Sequence, residues 1–221
     1  MSAPLVSASR AFRVLAAGVL ASRSLIAATA VWLGVLAAVY AADAGPPRQA
    51  MAITAAVLFA GSAWATAAEL SAGSVDLRAL LTAATGWYRV LVVDLLLALV
   101  WVGAAALAGV LAPMLFDPHP VSAGDVVLGV CLHLLCGLAG AALALLLHAG
   151  GTSRGVQAVV VLVAALVSGR LVVIPPIGPV LAAWGTGTDA PTGLAAWSLA
   201  GPVVLAGVLL ACTVTVRRRR G

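Results

Sequence analysis

Six long apolar stretches dominate the sequence and limit what the chain can fold into. They cover residues 25–42, 50–68, 90–116, 121–148, 155–174 and 194–216. A helix needs about 20 apolar residues to cross the hydrocarbon core of a bilayer, and each stretch has close to that length or more. Only 9% of the residues are charged, whereas a soluble domain has roughly 25%. The sequence therefore predicts an all-α polytopic membrane protein, with six transmembrane helices in one domain at residues 25–216.

The N-terminal segment, residues 1–24, has a different pattern. Arg10 and Arg13 lie among apolar residues, and Arg23 follows them. An apolar stripe with cations beside it is typical of a helix that lies along the membrane surface. The alternative is a signal peptide, but the clearest cleavage pattern, Ala-Asp-Ala at 42–44, comes only after the first long stretch. We therefore expect an amphipathic surface helix at the N-terminus.

The positions of the arginines predict the orientation of the chain. If the N-terminus is cytoplasmic, ten of the twelve arginines fall on the cytoplasmic side (Arg10, Arg13, Arg23, Arg78, Arg89, Arg154 and the run 217–220), and Arg48 and Arg170 fall on the outer side. Cytoplasmic loops of membrane proteins carry this excess of positive charge. We expect a multi-pass protein of the cell inner (plasma) membrane with both termini cytoplasmic and a basic tail at 217–221. Because topology explains the charge, binding to nucleic acid is not expected.

The loop predicted on the outer side, residues 175–193, contains strong helix breakers. It begins Pro-Pro-Ile-Gly-Pro and continues with the short apolar run 180–184. Closely spaced prolines cannot continue a helix. A short apolar piece between such breaks can dip back into the bilayer where neighbouring helices protect its backbone. The sequence therefore predicts an outer re-entrant segment before the last helix.

The loop predicted on the cytoplasmic side, residues 69–89, concentrates charge. Its charged residues are Glu69, Asp76, Arg78 and Arg89. Ser74 can cap a short helix that runs to Leu81, with Leu77, Leu80 and Leu81 expected on one side. Two interpretations are open at this point, a solvated loop and a docking element for a soluble partner.

This loop carries a resemblance to a known family. The pattern Glu69…Gly73-Ser74-Val75…Leu77…Leu80-Leu81…Arg89, between the second and third spans, resembles the permease subunits of the ABC type-2 exporter family. The layout is also similar, with a surface helix, six spans, both ends inside and an outer re-entrant segment. The sequence departs from the family at two places. The family often has proline where Ala84 or Thr85 stands, and often a basic residue near Asp94.

The resemblance implies that transport and ATP hydrolysis are carried out by different subunits. Such a permease pairs with a second copy or a paralogue and receives a cytoplasmic ATPase on this loop, so ATP and magnesium are bound by the ATPase and no cofactor by this chain. The implied coupling residues are Glu69, Gly73, Ser74, Asp76, Leu77, Arg78, Leu81 and Arg89. A phosphate-binding loop requires lysine, and the chain has none. We therefore expect no enzymatic activity in this chain itself.

Two polar features inside the predicted spans are candidates for function, because polar groups are costly to bury in a membrane. Asp94 either pairs with an arginine or headgroup, or takes part in gating or cargo binding. The other feature is a stripe of small and polar residues in the fourth span, mostly at spacings of three and four: Gly129, His133, Cys136, Gly137, Gly140, Ala144 and His148. It is interpreted either as a packing seam with a hydrogen-bonded histidine, or as the polar lining of a subunit interface or cargo path.

Other classes of function fit the sequence less well. Two haems would need two further axial histidines, and besides His133 and His148 the chain has only His119. No Cys-x-x-Cys pair indicates zinc, and no cluster of acids or nucleophile with a base indicates an intramembrane enzyme. The alternative from another class is a non-catalytic membrane scaffold or assembly factor. Within the exporter class, the haem-exporter subunit of cytochrome c maturation has a similar layout.

Overall fold

The computed structural model describes residues 22–42, 45–72, 75–116, 119–171, 173–185 and 192–220, together with Arg13, Ala17 and Gly18. All elements with assigned bounds in this part of the chain are α-helices. They are α1 (Arg23–Ala41), α2 (Pro47–Ser71), α3 (Val75–Thr85), α4 (Trp87–Phe116), α5 (Ala123–Ala149), α6 (Arg154–Arg170), α7 (Ile177–Trp184) and α8 (Thr192–Arg220). The predicted all-α fold is confirmed for the described residues. The predicted N-terminal surface helix lies almost entirely outside them.

Within the described part of the chain, five helices are long and apolar enough to cross a membrane, namely α1, α2, α4, α5 and α8. Their ends agree with five of the predicted spans to within four residues. The remaining predicted span, 155–174, corresponds to α6, which ends at Arg170 because Leu171 has extended backbone (φ −108°, ψ 105°). At 1.5 Å per residue, its 17 residues rise about 26 Å, less than the roughly 30 Å of a hydrocarbon core. The sixth span is therefore not confirmed.

Serine side chains fix where three of these helices begin. Ser22, Ser122 and Ser153 stand just before α1, α5 and α6, and each hydroxyl accepts a hydrogen bond from a backbone amide of the first turn. At α5 the Asp125 carboxylate also accepts from the Ser122 amide, which completes a capping box. Arg48 at the start of α2 forms an ion pair with Asp125. The cap therefore also ties α2 to α5.

α2 is the centre of the bundle. It packs against α1, α4, α5, α6 and α7, and its many alanines let these neighbours approach closely. The tightest crossing is with α5 at Gly140, where a Cβ atom would overlap the backbone carbonyl oxygen of Phe59. By contrast, α8 packs mainly on α5 and α7, and it leaves large apolar side chains such as Val203, Val204 and Val208 exposed. These exposed faces fit a lipid environment.

The predicted outer loop contains a short helix. α7 buries Ile177, Val180 and Ala183 against its neighbours α2, α6 and α8. The indole N–H of Trp184 donates to the Ser198 hydroxyl at 2.9 Å, which fixes the end of α7 to α8. Residues 186–191 lie outside the described part of the chain.

The short helix predicted after Ser74 is present as α3, and it continues past Leu81 to Thr85. It ends at Gly86, whose φ of +87° belongs to the left-handed region that glycine adopts most easily. The Gly86 amide donates to the carbonyl of Thr82 at 2.8 Å, which is a C-terminal helix cap. This glycine sets the turn from α3 into α4, one residue after the positions where the resembling family often has proline.

Candidate functional site

Most of the described arginines lie at one end of the bundle, which we call the basic end. It is formed by α3 and by the starts of α1, α4 and α6 with the ends of α2, α5 and α8, and it carries Arg23, Arg78, Arg89, Arg154 and the run 217–220. Contacts across this end join distant segments. The Arg220 Nη2 group, for example, donates to the carbonyl of Gly150 at 2.9 Å. Arg48 and Arg170 belong to helix ends on the opposite side.

A buried ion pair fixes α3 to the long helices at the basic end. Arg78 Nη1 donates to both carboxylate oxygens of Asp94, at 2.9 and 3.1 Å. Its Nη2 group donates to the backbone carbonyl of Glu69 at 3.2 Å. One side chain of α3 therefore holds the end of α2 and the start of α4 together. Of the two interpretations of Asp94, the structure favours pairing with an arginine, and the Asp94 side chain is only 1% exposed.

Three further ionisable residues surround this pair. Glu69 is buried, and its carboxyl group lies close enough to Asp94 and Arg78 to interact with their charges. Arg217 from α8 and His148 from α5 come within electrostatic range of Arg78. Together these five residues form what we call the charge cluster. Three of its buried polar atoms have no hydrogen-bond partner among the described residues: Glu69 Oε2, Arg78 Nε and Arg217 Nε.

Burial divides the predicted coupling residues into two groups. Glu69 and Arg78 face inward in the charge cluster, so they hold α3 in position and do not present themselves to a partner. Leu81 is also buried, at 8% exposure, against α1, α2 and α4, whereas Leu80 is 68% exposed. The prediction that both leucines lie on one side is therefore wrong. Arg89 is exposed, while Gly73, Ser74 and the side chains of Asp76 and Leu77 lie outside the described set.

His133 lies in the middle of the bundle with no exposed surface. Its Nδ1 group lies 2.7 Å from the Gly129 carbonyl, and because a carbonyl only accepts, Nδ1 carries the hydrogen. Its Nε2 atom lies 2.9 Å from the hydroxyl oxygen of Thr54 on α2. The ring packs edge-on to Trp32 of α1 and against Gly109 of α4. Both ring nitrogens are therefore engaged within the chain.

The small residues of the same stripe also pack inside the chain. A Cβ atom at Gly129 would overlap the Met51 sulfur of α2, and one at Gly137 would come within 2.6 Å of a Val102 methyl of α4. A Cβ atom at Gly140 would overlap the backbone carbonyl of Phe59 on α2. These contacts match the packing-seam interpretation, with α5 wedged between α2 and α4. They do not favour the interpretation of the stripe as a subunit interface or cargo path.

Replacing Thr54 with valine tests the role of this histidine contact. The variant keeps the side-chain volume but leaves His133 Nε2 buried without a partner, so we expect a loss of about 1 kcal/mol in the free energy of unfolding. Thermal unfolding in detergent measures it. The matched control is Thr215→Val, since the exposed Thr215 hydroxyl bonds only the Ala211 carbonyl of its own helix. Equal stability of the two variants would contradict a structural role for the contact.

The described residues contain no group of three or more His, Cys, Asp or Glu side chains that could hold a metal ion. Comparison with known proteins adds no assignment: no family model, curated protein or solved structure matches this chain. The features that bear on function are therefore the geometry of the basic end and the sequence pattern of residues 69–89.

Proposed function

We propose that the chain is the membrane-spanning permease subunit of an ATP-driven exporter, with ATP hydrolysis supplied by a separate cytoplasmic ATPase. The main support for this proposal is the way in which α3 is attached to the long helices. The Arg78–Asp94 pair fixes this short helix to α4 and α2, while Leu80 points away from the bundle. A helix that is firmly held on its inner face and apolar on its outer face suits a docking role.

The proposed topology places the basic end in the cytoplasm. The arginine excess at this end is the support, because positive residues concentrate on the cytoplasmic side of membrane proteins. Both termini are then cytoplasmic, in the inner (plasma) membrane of the cell. We take α6 as a sixth, short span, and α7, which buries its apolar side against α2, α6 and α8, as an outer re-entrant segment.

The charge cluster couples movement of α3 to movement of the long helices α2 and α4. A partner that displaces α3 pulls on Arg78, and through it on Asp94 of α4 and on the end of α2 at Glu69. α4 has 30 residues, so a tilt imposed at its start carries across the whole bundle. Since the Thr54–His133 contact closes the centre of a single chain, a transport path is better formed between this chain and a second copy or paralogue.

Replacing Leu80 with aspartate tests the docking surface. We expect the variant to fold, because Leu80 is exposed, and to lose copurification with the cognate ATPase at least tenfold, because a carboxylate is costly to bury in an apolar contact. The measurement is copurification of the two proteins in mild detergent together with ATP hydrolysis. Leu80→Met is the matched control, since it keeps an apolar side chain of similar size.

Two results would count against the proposal. If the Leu80→Asp variant binds the ATPase as well as the wild type does, α3 is not the docking helix. A native-membrane purification that yields no ATPase at all would favour the alternative, a non-catalytic scaffold or assembly factor. In that case, site-directed labelling at the basic end should also be identical with and without nucleotide.

A further inference from the structure

An apolar cleft opens on the side of the bundle between α1, α2, α5 and α6. Its volume is about 350 Å³. Most of its lining is apolar and much of it is small, including Ala60, Trp64, Ala67, Ala144, Val161 and Leu162. The side chains of Trp64 and Leu162 are exposed, so the cleft opens onto the surface that faces lipid. The alanines leave space that larger side chains would fill.

The polar groups of the cleft are confined to one end. Ser24 stands in the first turn of α1, Ser71 ends α2, and Arg154 and Gln157 lie in the first turn of α6. All four positions belong to the basic end. The cleft therefore has a charged mouth at the membrane boundary and an apolar interior along the helices. This is the same distribution of polarity that a phospholipid has along its length.

Arg154 supplies the positive charge of this mouth. Its side chain is exposed, and among the described residues it has no ion pair or hydrogen bond, since the two salt bridges there belong to Arg48 and Arg78. It also stands at the N-terminus of α6, where free backbone N–H groups favour an anion. A guanidinium that has no partner among the described residues and lies beside an apolar cleft is complementary to a lipid phosphate.

We infer that this cleft binds one phospholipid from the leaflet that the basic end faces. The phosphate pairs with Arg154, and an acyl chain lies in the space beside Ala60, Ala67 and Ala144. Charge complementarity selects a phospholipid over a neutral lipid or a detergent. The inference does not rest on the proposed ATPase partner, because the cleft is formed within one chain.

The test is native mass spectrometry of the full chain in detergent, titrated with phosphatidylglycerol. We expect one tightly bound lipid per chain, about tenfold weaker binding for Arg154→Gln, and loss of the bound lipid for Ala67→Phe, whose ring fills the cleft. The matched controls are Arg219→Gln, an exposed arginine of the same end, and Ala211→Phe, an exposed alanine of α8 outside the cleft. Both controls should bind as the wild type does.

The other outcomes would overturn the inference. Equal binding by wild type, Arg154→Gln and Ala67→Phe would mean that only non-specific surface lipid is present. Full competition by inorganic phosphate, with no requirement for an acyl chain, would indicate an anion site at α6 alone. If the wild type and Ala67→Phe bind phosphatidylglycerol equally while Arg154→Gln binds it more weakly, the lipid lies at Arg154 but its acyl chain is not in the cleft. None of these results depends on whether an ATPase binds at α3.

Discussion

Replacing Asp94 with asparagine is expected to lower the free energy of unfolding by about 3–5 kcal/mol. The change keeps the size of the side chain but removes the charge that faces Arg78 and accepts both hydrogen bonds from its Nη1 group, which leaves Glu69 as the remaining acidic residue of the charge cluster. Since Arg78 also holds the carbonyl of Glu69, we expect α3 to detach from α2 and α4 together. Thermal unfolding in detergent measures the loss, and hydrogen exchange of residues 78–85 localises it.

Two further variants serve as controls for the Asp94→Asn prediction. Arg48→Gln at the opposite end removes a pair whose arginine side chain is 52% exposed, so it should cost no more than about 1 kcal/mol. The double variant Arg78→Met with Asp94→Leu removes both charges of the buried ion pair, and it should be far more stable than Asp94→Asn alone. If Asp94→Asn costs no more than Arg48→Gln, the pair does not anchor α3.

The double variant also separates stability from the proposed coupling. It keeps apolar packing between α3 and α4 but removes the directional hydrogen bonds that tie Arg78 to both oxygens of Asp94. Under the exporter proposal, the folded double variant should still bind the ATPase through Leu80. The bound ATPase should then hydrolyse ATP with weaker transport, because a displacement of α3 is transmitted less rigidly.

Hydropathy predicted the five long helices well because each depends on one local quantity, the length of an apolar run. It overestimated α6 because the apolar composition continues beyond the point where the backbone leaves the helix at Leu171. The same composition suits a helix and an extended strand equally, so it cannot locate that change. The spacing of the small residues of α5 likewise predicted that they share one face of the helix, but it left open whether that face is a packing seam or the lining of a subunit interface or cargo path.

The charge cluster was less predictable because it depends on tertiary geometry. Arg78 and Asp94 lie on different helices, and Gly86 sets how those helices turn relative to each other. The same turn decides which side of α3 faces the bundle. The sequence pattern therefore placed Leu80 and Leu81 together, whereas the packing of α3 separates them into an exposed and a buried residue. Only the turn glycine, between Thr85 and Trp87, offered a signal for this arrangement.

Replacing Gly140 with leucine should cost about 3 kcal/mol or more in the free energy of unfolding. Inside a membrane, helices associate through close packing of small residues and not through exclusion of water. At Gly140 the first atom of any side chain would overlap the Phe59 carbonyl, and backbone cannot move aside as a flexible side chain can. α2 and α5 must therefore separate, which also disturbs the Thr54–His133 contact nearby.

The control for this prediction is another glycine within a helix. A Cβ atom at Gly103 of α4 would meet no heavy atom within 4 Å, so Gly103→Ala should leave stability unchanged or raise it by up to about 1 kcal/mol through better helix propensity. Gly140→Ala should already destabilise the chain, because the overlap begins at Cβ. Thermal unfolding of the two alanine variants in the same detergent compares them directly. If they shift in the same direction, α2 and α5 do not meet backbone to backbone at Gly140, and the centre of the bundle is packed differently.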